Sequence, residues 1–147
     1  MKSFFTLTAL AAFCNSAYCL SEGTYKIGSA SLEKTKVLTE VSGQADLVFK
    51  TANGHPGQIW DFTPDTSKKD YFFIQNNLGA YISCESLGSP CTAGDEPTSF
   101  SPEYVGDKKY ELVDGKTGYF LRLADDNKLK LAEYENGSEQ EFVLTKA

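Results

Sequence analysis

The chain has one histidine, one tryptophan, four cysteines and five prolines in 147 residues. Each scarcity closes a route. Any Ser-His-Asp relay would have to use His55, and no G-x-S-x-G elbow accompanies it. A phosphate-cradling glycine loop ending in Lys-Ser or Lys-Thr is missing too. Basic residues are outnumbered: 14 Lys and Arg stand against 20 Asp and Glu, for a formal net charge of −6. Without a basic stripe, nucleic acid is not an expected partner, and an anionic membrane surface is disfavoured for the same reason. Carboxylate pairs are common in any acidic chain, so their presence alone does not point to glycoside hydrolysis. No catalytic residue, cofactor or metal is expected.

Long apolar runs are also scarce. The longest, Phe4 to Phe13, follows Lys2 and precedes the small residues of Ala17-Tyr18-Cys19. It is too short to cross a bilayer and fits the core of a secretion signal. Residues 1–19 are therefore expected to be a signal peptide cleaved after Cys19, with cleavage after Ala17 as the alternative. Residues 20–147 form the expected domain, secreted and extracellular. No later run is long enough for a membrane span. Removal of Cys14 and Cys19 leaves Cys84 and Cys91, which an oxidising compartment would pair. So short a loop gains only about 2–3 kcal/mol from cross-linking. With two cysteines and one histidine left, a zinc site is not expected.

The remaining chain alternates with period two. Leu121-Arg122-Leu123 and Leu129-Lys130-Leu131 flank the turn residues Asp125-Asp126-Asn127 and predict a hairpin. Val37 to Val41 and Leu47 to Phe49 predict another around Ser42-Gly43. Tyr71 to Ile74 and Tyr81-Ile82 flank Asn76-Asn77 and Gly79. Three closing segments echo one another: Gln58-Ile59-Trp60-Asp61-Phe62, Thr98-Ser99-Phe100-Ser101-Pro102 and Gln140-Glu141-Phe142-Val143-Leu144. Their starts are 40 and 42 residues apart. A loop precedes each: Asn53 to Gly57, Ala93 to Pro97, and Asn136 to Glu139. The opening strands also match: Tyr25-Lys26-Ile27, Phe72-Phe73-Ile74 and Tyr110-Glu111-Leu112. A unit of about forty residues cannot bury its own apolar face, but three can close around a pseudo-threefold axis. The expected fold class is all-β, a β-trefoil. A Greek-key sandwich or a lipocalin-like barrel would share the strands without the threefold echo.

With Gln58-Ile59-Trp60 as a Q-x-W signature, Gln140-Glu141-Phe142 as its echo, and the opening Gly23-Thr24-Tyr25-Lys26-Ile27, the chain resembles fungal ricin B-type β-trefoil lectins. The mycocypin protease inhibitors share that fold. The resemblance implies a lectin that binds glycans or glycoproteins without chemistry, and a disulfide within one repeat that Cys84 and Cys91 would supply. Galactose-binding members carry an Asp on the first hairpin strand. Here Ser83 and Arg122 take that place in the second and third repeats, and Glu40 is the closest acidic substitute in the first.

Trp60 is expected in the core beneath its own repeat. Tyr134 offers a stacking face for a sugar, and Asn136, Glu139 and Gln140 offer paired hydrogen-bonding groups. Asn53 and His55 occupy the matching loop of the first repeat. Asn136-Gly137-Ser138 is also a glycosylation sequon, and a glycan there would cover part of the Tyr134 site. The alternatives are a protease inhibitor acting through the loops Ser86 to Pro97 or Ser42 to Asp46, and a secreted effector that binds a host protein.

Overall fold

A computed structural model describes residues 19–147. The expected signal peptide lies outside the described residues except for Cys19, which is disulfide-bonded. No helix among the described residues is long and apolar enough to cross a membrane. Twelve strands follow one another: β1 Gly23–Ser29, β2 Lys36–Thr39, β3 Val48–Thr51, β4 Trp60–Pro64, β5 Phe72–Asn76, β6 Tyr81–Ser83, β7 Thr92–Gly94, β8 Ser99–Gly106, β9 Lys109–Asp114, β10 Phe120–Leu123, β11 Leu129–Ala132 and β12 Phe142–Lys146. Each group of four makes one lobe. The loop expected over Ala93 to Pro97 begins later than the sequence suggested, because Thr92-Ala93-Gly94 pairs with Tyr81-Ile82-Ser83 as β7.

Six strands form a closed antiparallel ring. β1 pairs β4, β4 pairs β5, β5 pairs β8, β8 pairs β9, β9 pairs β12, and β12 returns to β1. Closure leaves the ring without an unpaired edge. At each seam a lobe's opening strand meets the closing strand of the lobe before it. Ser29 faces Phe142, Asn76 faces Trp60, and Asp114 faces Phe100. The three aromatic residues are buried, and two residues upstream of each polar partner lie Ile27, Ile74 and Leu112, also buried. The polar partners brace the turns that follow: Ser29 Oγ accepts from Ser31 N–H, Asn76 Oδ1 from Leu78 and Ala80 N–H, and Asp114 Oδ1 from Lys116 N–H.

The hairpins β2–β3, β6–β7 and β10–β11 cap one end of the ring. They meet at Leu47, Cys91 and Leu129, all buried, where Leu47 N–H donates to Cys91 C=O (3.0 Å) and Cys91 N–H to Leu129 C=O (2.7 Å). Across the cap, Lys128 Nζ donates to Asp46 Oδ2 at 2.9 Å, which holds the ammonium above its usual pKa. Asn127 adopts the left-handed turn expected of it, with φ 64°. Cys84 and Cys91 form the expected disulfide.

On the barrel exterior, Glu111 sits directly opposite Glu103 on β8. Burial, then Glu141 and Glu103, push its carboxyl above the usual Glu value. A raised carboxylate pKa means the fold prefers the proton, so ionised Glu111 weakens the fold at neutral pH. Glu111→Gln is expected to raise Tm at pH 7. The advantage should vanish as pH falls through the shifted pKa and below 4.5, the ordinary value. Thermal melts of both proteins across that range check it.

Candidate functional site

The two Q-x-aromatic glutamines turn inward. Gln58 and Gln140 are each only 1% exposed. Gln58 Oε1 accepts from Asn53 N–H (2.8 Å), and its Nε2 donates to Thr51 C=O (3.0 Å) and Thr39 Oγ1 (3.1 Å). Gln140 repeats the clamp, with Oε1 accepting from Glu135 N–H (2.9 Å) and Nε2 donating to Glu133 C=O (2.8 Å). In both lobes the bonded residues lie five and seven positions upstream. Gln140 is therefore a fastener for the loop and not a surface contact, which corrects the sequence expectation. Its amide is spent on backbone groups that would otherwise be left unpaired. Thr98 stands at this position in the second lobe, and its hydroxyl donates to Ile82 C=O. Trp60 is fully buried as expected, and its Nε1–H donates to Leu38 C=O of its own lobe at 3.1 Å.

In the third lobe the clamped loop presents Tyr134, 55% exposed, with its ring centroid 5.0 Å from that of Phe120 on β10. Phe120 escaped the sequence reading because it looked like one more strand residue. Two positions along the same face, Arg122 Nη2 lies 3.5 Å from Glu135 Oε1, while its Nε is buried with no hydrogen-bond partner among the described residues. Arg122 is the chain's only arginine, and Lys130 is its cross-strand neighbour. Like charges so placed repel. Asn136 is exposed, and Ser138 Oγ of its sequon lies 2.6 Å from Ser31 Oγ.

In the first lobe a depression of about 350 Å³ is lined by Glu40, Lys50, Asn53 and His55, with Gln58 beneath. Asn53 Oδ1 accepts from His55 N–H (3.0 Å), and His55 Nδ1 accepts from Gly57 N–H (3.0 Å), so both side chains also shape their loop. Gly57 is obligatory: a Cβ there would lie 2.7 Å from Glu40 O. Cross-strand register fixes the first-lobe counterpart of Ser83 and Arg122. Thr39, opposite Val48, matches Ser83 opposite Thr92 and Arg122 opposite Lys130. Glu40 is one residue further on, and its Oε1 accepts from Asn76 Nδ2 at 2.7 Å. No lobe carries an Asp at the position of the galactose-binding pattern. The second lobe has no exposed aromatic at this place, and a Cβ on Gly94 would meet Ser83 Cβ at 2.7 Å.

The loop beyond Cys84 lies on the third lobe. Leu87 bridges Leu131, Gly88 N–H donates to Leu131 C=O (3.0 Å), and Pro90 bridges Lys130. At the other inhibitor candidate, Asp46 bridges Thr92. Among the described residues no group of three or more His, Cys, Asp or Glu side chains is placed to hold a metal ion.

No protein-family model matches the sequence, and no curated protein does. Solved structures do match. The designed threefold symmetric protein ThreeFoil is 18% identical with a TM-score of 0.74, over 85% of this chain and 99% of that one. A ricin B-like lectin from Macrolepiota procera, solved with lactose, is 15% identical with a TM-score of 0.73, over 87% and 99%. An endo-β-galactosidase from Clostridium perfringens, 15% identical with a TM-score of 0.72, matches 84% of this chain, which spans 32% of that enzyme. The closed six-strand ring, the three cap hairpins and these likenesses give one result: the chain has the β-trefoil fold.

Proposed function

We propose that this is a secreted, non-catalytic carbohydrate-binding protein. The observation that carries the reading is Tyr134, an exposed ring seated on Phe120 beside the polar groups of a loop that Gln140 holds rigid. A sugar needs an apolar face to stack upon and fixed donors and acceptors around it. Tyr134, Asn136, Glu139 and the Arg122–Glu135 pair supply both. Asn53, His55, Glu40 and Lys50 make a second, more polar site in the first lobe. The lactose-bound Macrolepiota lectin on the same fold supports the sugar class. Arg122 in place of an acid favours glycans that carry a carboxylate or sulfate at the third lobe over plain galactose. Secretion rests on the charged and apolar pattern of residues 1–19 and on the Cys84–Cys91 disulfide.

The test is a glycan array followed by titration. The folded wild type should bind a defined set of glycans, and Tyr134→Ala should weaken the third-lobe ligand roughly tenfold, about 1.4 kcal/mol, with Tm unchanged. A wild type that binds no glycan would overturn the reading.

A further inference from the structure

A second hollow adjoins the first-lobe depression across the segment Thr51 to Asn53, on the outer wall of the ring between the first and third lobes. Its volume is about 500 Å³. Its apolar lining comes from Ala30, Leu32, Val37, Ala52 and Val143, and Lys26, Lys34 and Lys109 also line it.

The hollow exists because the first lobe breaks the threefold pattern. Gly28 precedes Ser29, as Gln75 precedes Asn76 and Val113 precedes Asp114 at the other seams. Cross-strand register sets Val37 against Tyr81 and Phe120. The clamp glutamines set Ala52 against Tyr134, each six residues upstream. The third lobe therefore fills the corresponding space with Val113, Phe120 and Tyr134, and the second places Gln75 opposite Tyr81. The first lobe has a glycine, a valine and an alanine.

Nothing in the backbone demands that glycine. Gly28 sits in a regular strand opposite Val143 and outside the left-handed region, and a Cβ there would make only ordinary contacts, the nearest at 3.5 Å to Lys36 O. A glycine inside a strand weakens it and often marks the close approach of another group. The charges carry the second argument. Three lysines and no carboxylate line the hollow, and none of the three has an ion-pair partner among the described residues. An apolar hollow of this size suits a small ligand, and unpaired ammonium groups beside it suit an anion.

We propose that the hollow over Gly28 binds a small organic anion with an apolar body, of the class of a medium-chain carboxylate. The ligand lays its hydrocarbon over Gly28, Val37, Ala52 and Val143 and presents its carboxylate to the lysines.

The experiment titrates the full chain with the fluorescent apolar anion anilinonaphthalene sulfonate and competes it with decanoate, decanol or decylamine. Wild type should enhance the fluorescence, decanoate should displace the dye, and decanol should compete about tenfold more weakly. Gly28→Val should abolish dye binding with Tm unchanged or raised, since a β-branched residue suits a strand. Joint Lys26→Gln and Lys109→Gln should weaken decanoate and leave decanol unaffected. Tyr134→Ala should change none of this, so the outcome is separate from the glycan result. The proposal is overturned if wild type does not bind the dye, if Gly28→Val binds like wild type, or if decanol or decylamine competes as well as decanoate.

Discussion

Trp60→Ala should cost about 3–5 kcal/mol, a large share of the roughly 5–15 kcal/mol that holds a domain of this size folded. The side chain is fully buried, and its Nε1–H is spent on Leu38 C=O, which ties the closing strand to the cap hairpin above it. Deletion to Ala leaves a void at the seam where Trp60 faces Asn76. Trp60→Phe is the informative companion, because Phe100 and Phe142 already fill the equivalent seams. It should cost about 1–3 kcal/mol, for the Leu38 carbonyl left unpaired and a smaller void. Urea unfolding of the three proteins gives both numbers. A loss below about 1 kcal/mol for the alanine variant would be incompatible with the packing described here.

The disulfide carries the second large effect, and the effect should be unequal between its ends. Cutting the bond by Cys84→Ala should cost about 2–3 kcal/mol, the chain-entropy value for a short loop. Cys91→Ala should cost more. Cys91 is buried between Leu47 and Leu129, where its lobe supplies a sulfur in place of a leucine, so truncation adds a void to the lost cross-link. The double change Cys84→Ala with Cys91→Val should recover part of that second cost, because valine refills the space. Denaturant midpoints at constant m-value measure the differences. Equal losses at Cys84 and Cys91 would show that packing at the axis contributes nothing. Glycan binding at the first-lobe site should survive in all three variants, whereas the third-lobe site is exposed to the change, because the Cys84–Cys91 loop packs against Lys130 and Leu131 beside Arg122.

Much of the fold was legible because strands announce themselves with period two, and the closing aromatics recur near every forty residues. The seams follow from that spacing. The site was harder. Gln140 looked like a ligand contact because an amide in a polar loop is the same in sequence whether it faces water or the backbone; only its hydrogen bonds to Glu133 and Glu135 separate the cases. The first-lobe position could be approached only through its nearest acid, Glu40, because Val37 to Val41 is strand-favouring and carries no internal marker, whereas pairing with Val48 fixes Thr39 as the counterpart of Arg122. The hollow over Gly28 was invisible for a different reason. It arises from comparing three lobes residue by residue, and the opening strands align only once their partners are known.

The closed ring has a topological consequence. The bond from Ala147 N–H to Thr24 C=O, at 2.9 Å, and the ladder from Tyr25–Lys146 to Ser29–Phe142 make the join between the last lobe and the first the same kind of join as the other two. The order in which the lobes are numbered is then a convention of where the polypeptide is cut. A circular permutant of residues 20–147 opened in the exposed turn at Ser67-Lys68-Lys69, with a short linker from Ala147 to Leu20, would keep every strand pair and every aromatic-to-polar seam.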